Sequence, residues 1–232
     1  MGKNEFDKLV SIVLPALNEE ETVGRVIDEI PKEELARRGV GVEVVVIDNN
    51  STDGTKEVAQ QKGARVIVEP DRGKGRAVRA AFRSIDGDYV FMLDADYTYP
   101  ATYIPAMLDL LEDSWDVVRG SRLGGQIEAG AMSRLNRVGN HLLVFMARAL
   151  YGAEISDLCT GLWGFRREVV ESLKLDSTGF ELEADIFAEA TKRRYRATEI
   201  PIRYRPRPTP STHGSWRIGF RIGRALVIRR FR

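Results

Sequence analysis

Asp94 and Asp96 stand either side of Ala95, directly after the apolar run Tyr89-Val90-Phe91-Met92-Leu93. A buried strand of that kind delivers both carboxylates to the rim of a sheet, where a hard divalent cation, Mg2+ or Mn2+, could bridge them to phosphate oxygens. A cation so placed neutralises the charge that develops as a diphosphate departs. Acidic pairs also occur at ordinary strand ends and helix caps, so the spacing alone does not decide. A calcium loop of the EF-hand type is excluded, because Tyr99 falls where that loop requires glycine.

Two further strand ends are polar: Leu14-Pro15-Ala16-Leu17-Asn18-Glu19, and the segment from Ile47 through Asp48, Asn49 and Asn50 to Ser51, Asp53 and Thr55. Asn18, Ser51 and Asp53 suit helix capping. Capping does not explain Asp48, which follows Val44-Val45-Val46-Ile47 and could accept hydrogen bonds from a nucleobase or ribose. Gly73-Lys74-Gly75 opens a helix but is neither a Walker loop nor a dinucleotide fingerprint, since Val78 stands where a third glycine would fall. Solvated cations at a helix start explain it equally well. Arg122, at the end of another apolar run, and Arg134 and Arg137 on the next helix offer planar forks that bind two phosphate oxygens at once. For Arg134 and Arg137 a solvated helix face is an equal reading. Asp157 and Glu183 could orient a substrate or act as a base. Cys159 reads as small packing rather than a nucleophile, and His141 and His213 are too isolated for a metal triad.

The elements that must position these residues follow a strand–helix alternation. Apolar runs near 10–14, 42–47, 65–68, 88–93 and 116–120 read as strands, with helices over 20–37, 53–62, 75–84 and 100–111. The second helix is expected to be capped by Asp53 or Ser51. The pattern predicts an α/β fold with a mainly parallel, Rossmann-related sheet flanked by helices, whose strand carboxyl ends converge on one rim. Beyond Arg122 we expect a Gly-containing loop at 124–130, a helix over 131–151, a turn through 157–165, a helix over 181–194 and a strand at 197–203. A proline-rich loop at 204–215 carries Arg205 and Arg207 and is followed by Arg217.

At 232 residues the chain fits one domain. A formal net charge of +1 suggests no nucleic-acid partner. One cysteine, and an N-terminus without an apolar signal core, lead to the expectation of a reducing cytoplasmic setting. No apolar run reaches the roughly 20 residues needed to span a bilayer. The segment 216–232 carries six arginines and no acid, with Ile218, Ile222 and Leu226 spaced as a helical stripe. Two readings are open: a helix lying on the cytoplasmic face of a membrane, or one packing that stripe on the core.

The motifs around Leu14–Glu19, Ile47–Thr55, Arg72–Ala77, Leu93–Pro100 and Gly120–Arg122, in that order, resemble those of the family 2 glycosyltransferases. The chain looks most similar to dolichyl- or polyprenyl-phosphate sugar synthases, from about Val10 to Trp216. The resemblance implies a GT-A fold and inverting transfer from a nucleotide diphosphate-sugar to a lipid phosphate. It implies a nucleoside site at Pro15, Leu17, Glu19 and Asp48, a metal and diphosphate site at Asp94, Ala95 and Asp96, and Lys74 and Arg207 on the donor side. It also implies acceptor-phosphate contacts from Arg122, with Arg134 and Arg137 beyond it. Residues 1–122 would form the nucleotide-sugar half and 123–215 the acceptor half. Thr98 replaces the glutamine that mannose-transferring relatives carry, which favours UDP-sugars over GDP-mannose. A hydroxyl acceptor, with Asp157 or Glu183 as base, and a nucleotide-binding scaffold without turnover are the alternatives.

Overall fold

The computed structural model describes residues 6–209 and 216–232. Strands β1 (Lys8–Ala16), β2 (Val40–Asp48), β3 (Arg65–Val68), β4 (Tyr89–Met92), β5 (Val117–Ile127), β6 (Trp163–Arg166) and β7 (Ala197–Tyr204) form one sheet, ordered β3-β2-β1-β4-β6-β5-β7. Strands β1 to β4 run parallel, β5 pairs parallel with β7, and β6 lies antiparallel between β4 and β5. Val13, Val45 and Ile47 face one buried cluster while Ile12, Leu14, Val44 and Val46 face another. Both faces are therefore covered, which is why these strands read as unbroken apolar runs. The register Ala16↔Asp48, with the Leu93 N–H donating to the Val13 carbonyl at 3.0 Å, brings the ends of β1, β2 and β4 to one rim.

The helices are α1 (Val23–Glu29), α2 (Lys32–Arg37), α3 (Thr55–Gln61), α4 (Lys74–Phe82), α5 (Ile104–Asp113), α6 (Arg134–Tyr151), α7 (Arg167–Ser172), α8 (Leu182–Lys192) and α9 (Trp216–Phe231). Four expectations need correction. The helix expected over 20–37 is two, because Pro31 cannot donate a backbone hydrogen bond and ends the first. The loop expected at 124–130 begins as strand, since β5 continues to Ile127 beside β7. Gly125 allows this: a Cβ there would lie 2.0 Å from the Ile202 carbonyl oxygen. The turn through 157–165 ends in strand β6, which places a piece of the expected acceptor half between β4 and β5. Ser51 does not cap α3; its hydroxyl accepts from the Asn18 N–H at 3.0 Å, while Asp53 accepts from the Thr55 N–H at 3.1 Å.

The C-terminal segment is helical, as expected, but its Ile222 and Leu226 are buried against the core, with Ile218 packed beside them. The Tyr151 hydroxyl donates to the Leu226 carbonyl at 2.8 Å, and Arg229 Nε meets Asp185 Oδ1 at 2.5 Å, fixing α9 to α6 and α8. Of the two readings of the Ile218, Ile222 and Leu226 stripe, the structure shows the one that packs it on the core. A different apolar surface stays exposed: Leu135, Val138, Leu142 and Phe145 on α6, and Phe220, Val227 and Phe231 on α9. A Cβ on Gly223 would meet Met146 at 3.5 Å, so the helices touch along a line bordered by Phe220 and Val227 on one and Leu142 on the other. Neither helix contains an acidic residue. No helix among the described residues is long and apolar enough to cross a membrane.

Candidate active site

A cavity of about 460 Å³ opens at the rim where β1, β2 and β4 end. Pro15, Leu17, Glu19, Lys74, Asp94, Ala95, Asp96 and Arg207, all expected on the donor side, line it. Asp94 and Asp96 form the floor. Asp96 Oδ1 accepts from the Thr98 N–H and hydroxyl at 3.1 and 2.6 Å, and its Oδ2 lies 3.8 Å from Arg207 Nη1. Burial raises the pKa of Asp96, and the neighbouring Asp94 charge raises it further. Two hard carboxylates that repel one another suit a divalent cation electrostatically. Among the described residues no group of three or more His, Cys, Asp or Glu is arranged to hold a metal. The donor set therefore fits a cation bound through one or two carboxylates and completed by substrate phosphates.

The acids are paired with cations that approach from separate elements. Lys74 Nζ, at the start of α4, lies 2.6 Å from both Asp94 Oδ1 and Glu183 Oε1. Burial alone would lower its pKa, but Asp94 and Glu183 outweigh burial and raise it, so the ammonium stays charged. Gly73, before it, has φ 140°, and its N–H donates to Asn49 Oδ1 at 2.6 Å. A Cβ on Gly73 would come within 2.1 Å of the Thr178 carbonyl oxygen, so only glycine fits between the two walls. Arg207 pairs with Glu19, whose carboxyl is pushed up to about 7 chiefly by burial, against the pull of Arg207.

Several expected residues lie elsewhere. Asp48 is buried at the end of β2 and accepts from the Ser51 N–H at 3.3 Å, and its neighbour Asn49 lines the cavity instead. Arg122 is buried: its Nε and Nη2 donate to the two oxygens of Asp157 at 2.7 and 2.8 Å, and Nη2 also reaches Asn140 on α6 at 3.1 Å. Asp157 is fully buried. Glu183 lies beneath the cavity on Lys74, and burial raises its pKa. Arg134 and Arg137 are exposed on the first turn of α6, outside the cavity lining. Burial pushes the Cys159 thiol up to about 12, consistent with packing rather than nucleophilic use. His213 and the latter part of the proline-rich loop lie outside the described residues.

The profile described as Glycosyl transferase family 2 matches residues 11–174. The chain belongs to this family. It is 41% identical over 203 residues to glycosyltransferase AglJ of Haloferax volcanii, covering 87% of this chain and 65% of that one. It is 37% identical over 228 residues to a dolichyl-phosphate hexose transferase of the same organism, covering 98% and 96%. The chain thus spans a little under two thirds of the first relative and nearly all of the second. Its fold matches the glucosyl-3-phosphoglycerate synthase of Mycobacterium tuberculosis, crystallised with Mn2+, UDP and glucosyl-3-phosphoglycerate, at TM-score 0.78, 24% identity, and coverage of 96% and 80%. That fold is GT-A, as the family resemblance implied.

Asn49, Arg72, Phe180 and Arg221 also line the family 2 cavity and were not expected there. Asn49 and Arg72 lie inside the motifs Ile47–Thr55 and Arg72–Ala77 and could have been read from them. Arg221 could not, because its place depends on α9 folding back over α8.

Proposed function

We propose that this protein transfers a sugar from a nucleotide diphosphate-sugar, a UDP-sugar in preference, to a dolichyl or polyprenyl phosphate with inversion at the anomeric carbon. Asp94 and Asp96 would hold Mg2+ or Mn2+, which when bound neutralises charge on the departing nucleoside diphosphate. Pro15, Leu17, Glu19 and Asn49 would form the nucleoside end, and Lys74 and Arg207 would steady the diphosphate side. The acceptor phosphate, with a second pKa of about 6, arrives largely ionised near neutrality and needs orientation more than deprotonation.

The observation that carries this choice of acceptor is the state of the two candidate bases. Asp157 is buried and spends both oxygens on Arg122, while Glu183 is buried against Lys74. A hydroxyl acceptor would need one of them to accept a proton. The similarity to the Haloferax dolichyl-phosphate hexose transferase supports the same reading. So does the exposed apolar and arginine-rich face of α6 and α9, which suits peripheral contact with anionic lipid at the cytoplasmic side of a membrane. In this reading Arg122 shapes the site from behind, and Arg134 and Arg137 face the headgroup layer.

The test is incubation with radiolabelled UDP- and GDP-sugars and a polyprenyl phosphate, with and without chelator, alongside Asp96→Asn. Labelled lipid that requires both Asp96 and a divalent cation is expected. Transfer only to hydroxyl acceptors would overturn the assignment.

A further inference from the structure

Asp96 is followed by a residue in an uncommon conformation. Tyr97 has φ 63°, and among the described residues the other non-glycine residues at positive φ are Asn18, Asn50 and Arg194. Asparagine visits this region readily, whereas a bulky ring there is strained and persists only where its surroundings hold it. Two guanidinium groups do so. Arg25 Cζ, on α1, lies 3.9 Å from the centre of the Tyr97 ring, and Arg205 Cζ, just past β7, lies 4.6 Å from it. Both distances are within the range of cation–π attraction.

Arg205 thereby joins the end of β7 to the segment that follows β4. Its N–H donates to the Thr98 carbonyl at 3.0 Å, and its Nη1 and Nη2 donate to the two oxygens of Glu29 on α1 at 3.0 and 2.5 Å. Glu29 Oε2 also accepts from the Ala101 N–H at 3.2 Å. This joint bears on the cavity through what comes next in the chain. In Arg205-Pro206-Arg207-Pro208 the second arginine is two residues from the first, a span of at most about 7 Å. Each proline fixes its own φ and restricts the residue before it, so the spacer is stiff. Arg207 then pairs with Glu19 and lies 3.8 Å from Asp96. A shift of Arg205 is therefore passed to Arg207 rather than absorbed between them.

We propose that Tyr97 is a positioning residue that acts through Arg205 to set Arg207 against Asp96 for the donor diphosphate. The inference rests on the proposed donor site, in which Arg207 steadies that diphosphate. Tyr97 is not part of the cavity lining, so its influence on a bound nucleotide runs through the joint. A ring that only stabilised its own turn would change melting and leave the nucleotide unaffected.

The experiment measures the affinity of UDP and of GDP by calorimetric titration in the presence of Mn2+, together with thermal melting. The proteins are wild type, Tyr97→Phe, Tyr97→Leu, Glu29→Gln, Arg207→Ala, and Tyr97→Leu combined with Arg207→Ala. Wild type should bind at least one of the two nucleotides. Tyr97→Leu should weaken that binding about threefold to fivefold, the scale of one lost cation–π contact, and Tyr97→Phe, which keeps the ring, should bind like wild type. Glu29→Gln loosens Arg205 without touching the ring and should also weaken the nucleotide, so it tests the same joint if Tyr97→Leu does not fold. In the Arg207→Ala background, Tyr97→Leu should cause no further loss. A Tyr97→Leu effect of equal size with and without Arg207 overturns the proposal. So does a lowered melting temperature with unchanged nucleotide affinity, or a Phe variant as impaired as the Leu one. Failure of wild type to bind either nucleotide would instead reject the donor-site reading beneath it.

Discussion

Gly161→Ala tests whether the Asp94 carboxylate must sit where it does. Gly161 is not among the residues with positive φ, so alanine is tolerated by the backbone and only the added methyl matters. Its Cβ would lie 2.1 Å from Asp94 Oδ2, 2.5 Å from Asp94 Cγ and 2.9 Å from Tyr99 Cε2. Ordinary contact begins near 3.4 Å, so the carboxylate must retreat by 3.4 minus 2.1, or 1.3 Å. That movement disturbs the 2.6 Å contact between Asp94 Oδ1 and Lys74. A misplacement of about 1 Å can cost on the order of 10²-fold in rate, equivalent to about 2.7 kcal/mol of barrier. Overpacking costs the fold roughly 1–3 kcal/mol, each lowering Tm by about 2–4 °C in a chain of this size. The assay is initial transfer rate at saturating donor while the divalent cation is titrated, with circular-dichroism melting as the control. We expect a folded variant with turnover down about 10²-fold and half-saturation moved to higher cation concentration. A folded variant with the wild-type rate and the wild-type cation curve would show that Asp94 does not face the reacting group.

Arg122→Ala should act on the fold rather than on acceptor affinity, because it strands the fully buried Asp157 carboxylate. Breaking such a pair typically costs about 3–5 kcal/mol, so a denaturant midpoint near wild type would contradict the buried pair. Glu19 should make stability depend on pH. Its folded pKa of about 7 lies above the usual 4.5, so the native state binds the proton more tightly and stability falls as pH rises between those values, then levels. In cation-free buffer the difference between wild type and Glu19→Gln should fall across that window and stay flat above it, and a constant difference would discount the shift. On the outer face, Leu142→Ser with Phe145→Ser and Phe231→Ser should weaken sedimentation with anionic vesicles severalfold while leaving Tm nearly unchanged, since all three side chains are exposed. Undiminished vesicle binding by that triple variant would remove the face from the account.

Most of the cavity proposed for the donor was legible in the sequence because its lining sits on strand ends, and strand ends are marked by a switch from apolar to polar residues. Asp94, Asp96 and Glu19 follow such switches, Lys74 opens a helix, and all four line the cavity. At the end of β2 the switch alone does not say which polar residue faces the cavity: Asn49 lines it, while Asp48 accepts from the Ser51 N–H of its own loop. Partnerships between distant segments were not legible. Nothing local to Arg122 announces Asp157, which is 35 residues away, and an arginine read without its partner is naturally taken for a free phosphate ligand. Strand β6 was hidden for a related reason. Trp163–Arg166 is four residues long and shows no clear alternation, and its place between β4 and β5 is set by pairing on both sides rather than by its own pattern.

Helix α9 shows where periodicity stops being informative. Its sequence carries two apolar stripes, one through Ile218, Ile222 and Leu226 and another through Phe220, Val227 and Phe231, and helical spacing alone cannot say which faces protein. The structure buries the first, and packing supplies the reason. Gly223 follows Ile222 and lets Met146 and Leu143 of α6 approach the helix backbone, whereas the Phe220 side has no comparable small neighbour in contact. The arginines divide along with the stripes. Arg229 is drawn onto Asp185 beside the buried face, while Arg217 and Arg224 lie toward the exposed one. Removing the whole helix would therefore uncover the core around Leu143 and also delete any lipid-binding surface, and a loss of activity would carry no information about membranes. Substitutions confined to Phe220, Val227 and Phe231 separate the two roles, because they change what the outer face presents to lipid and leave the buried stripe to hold the fold.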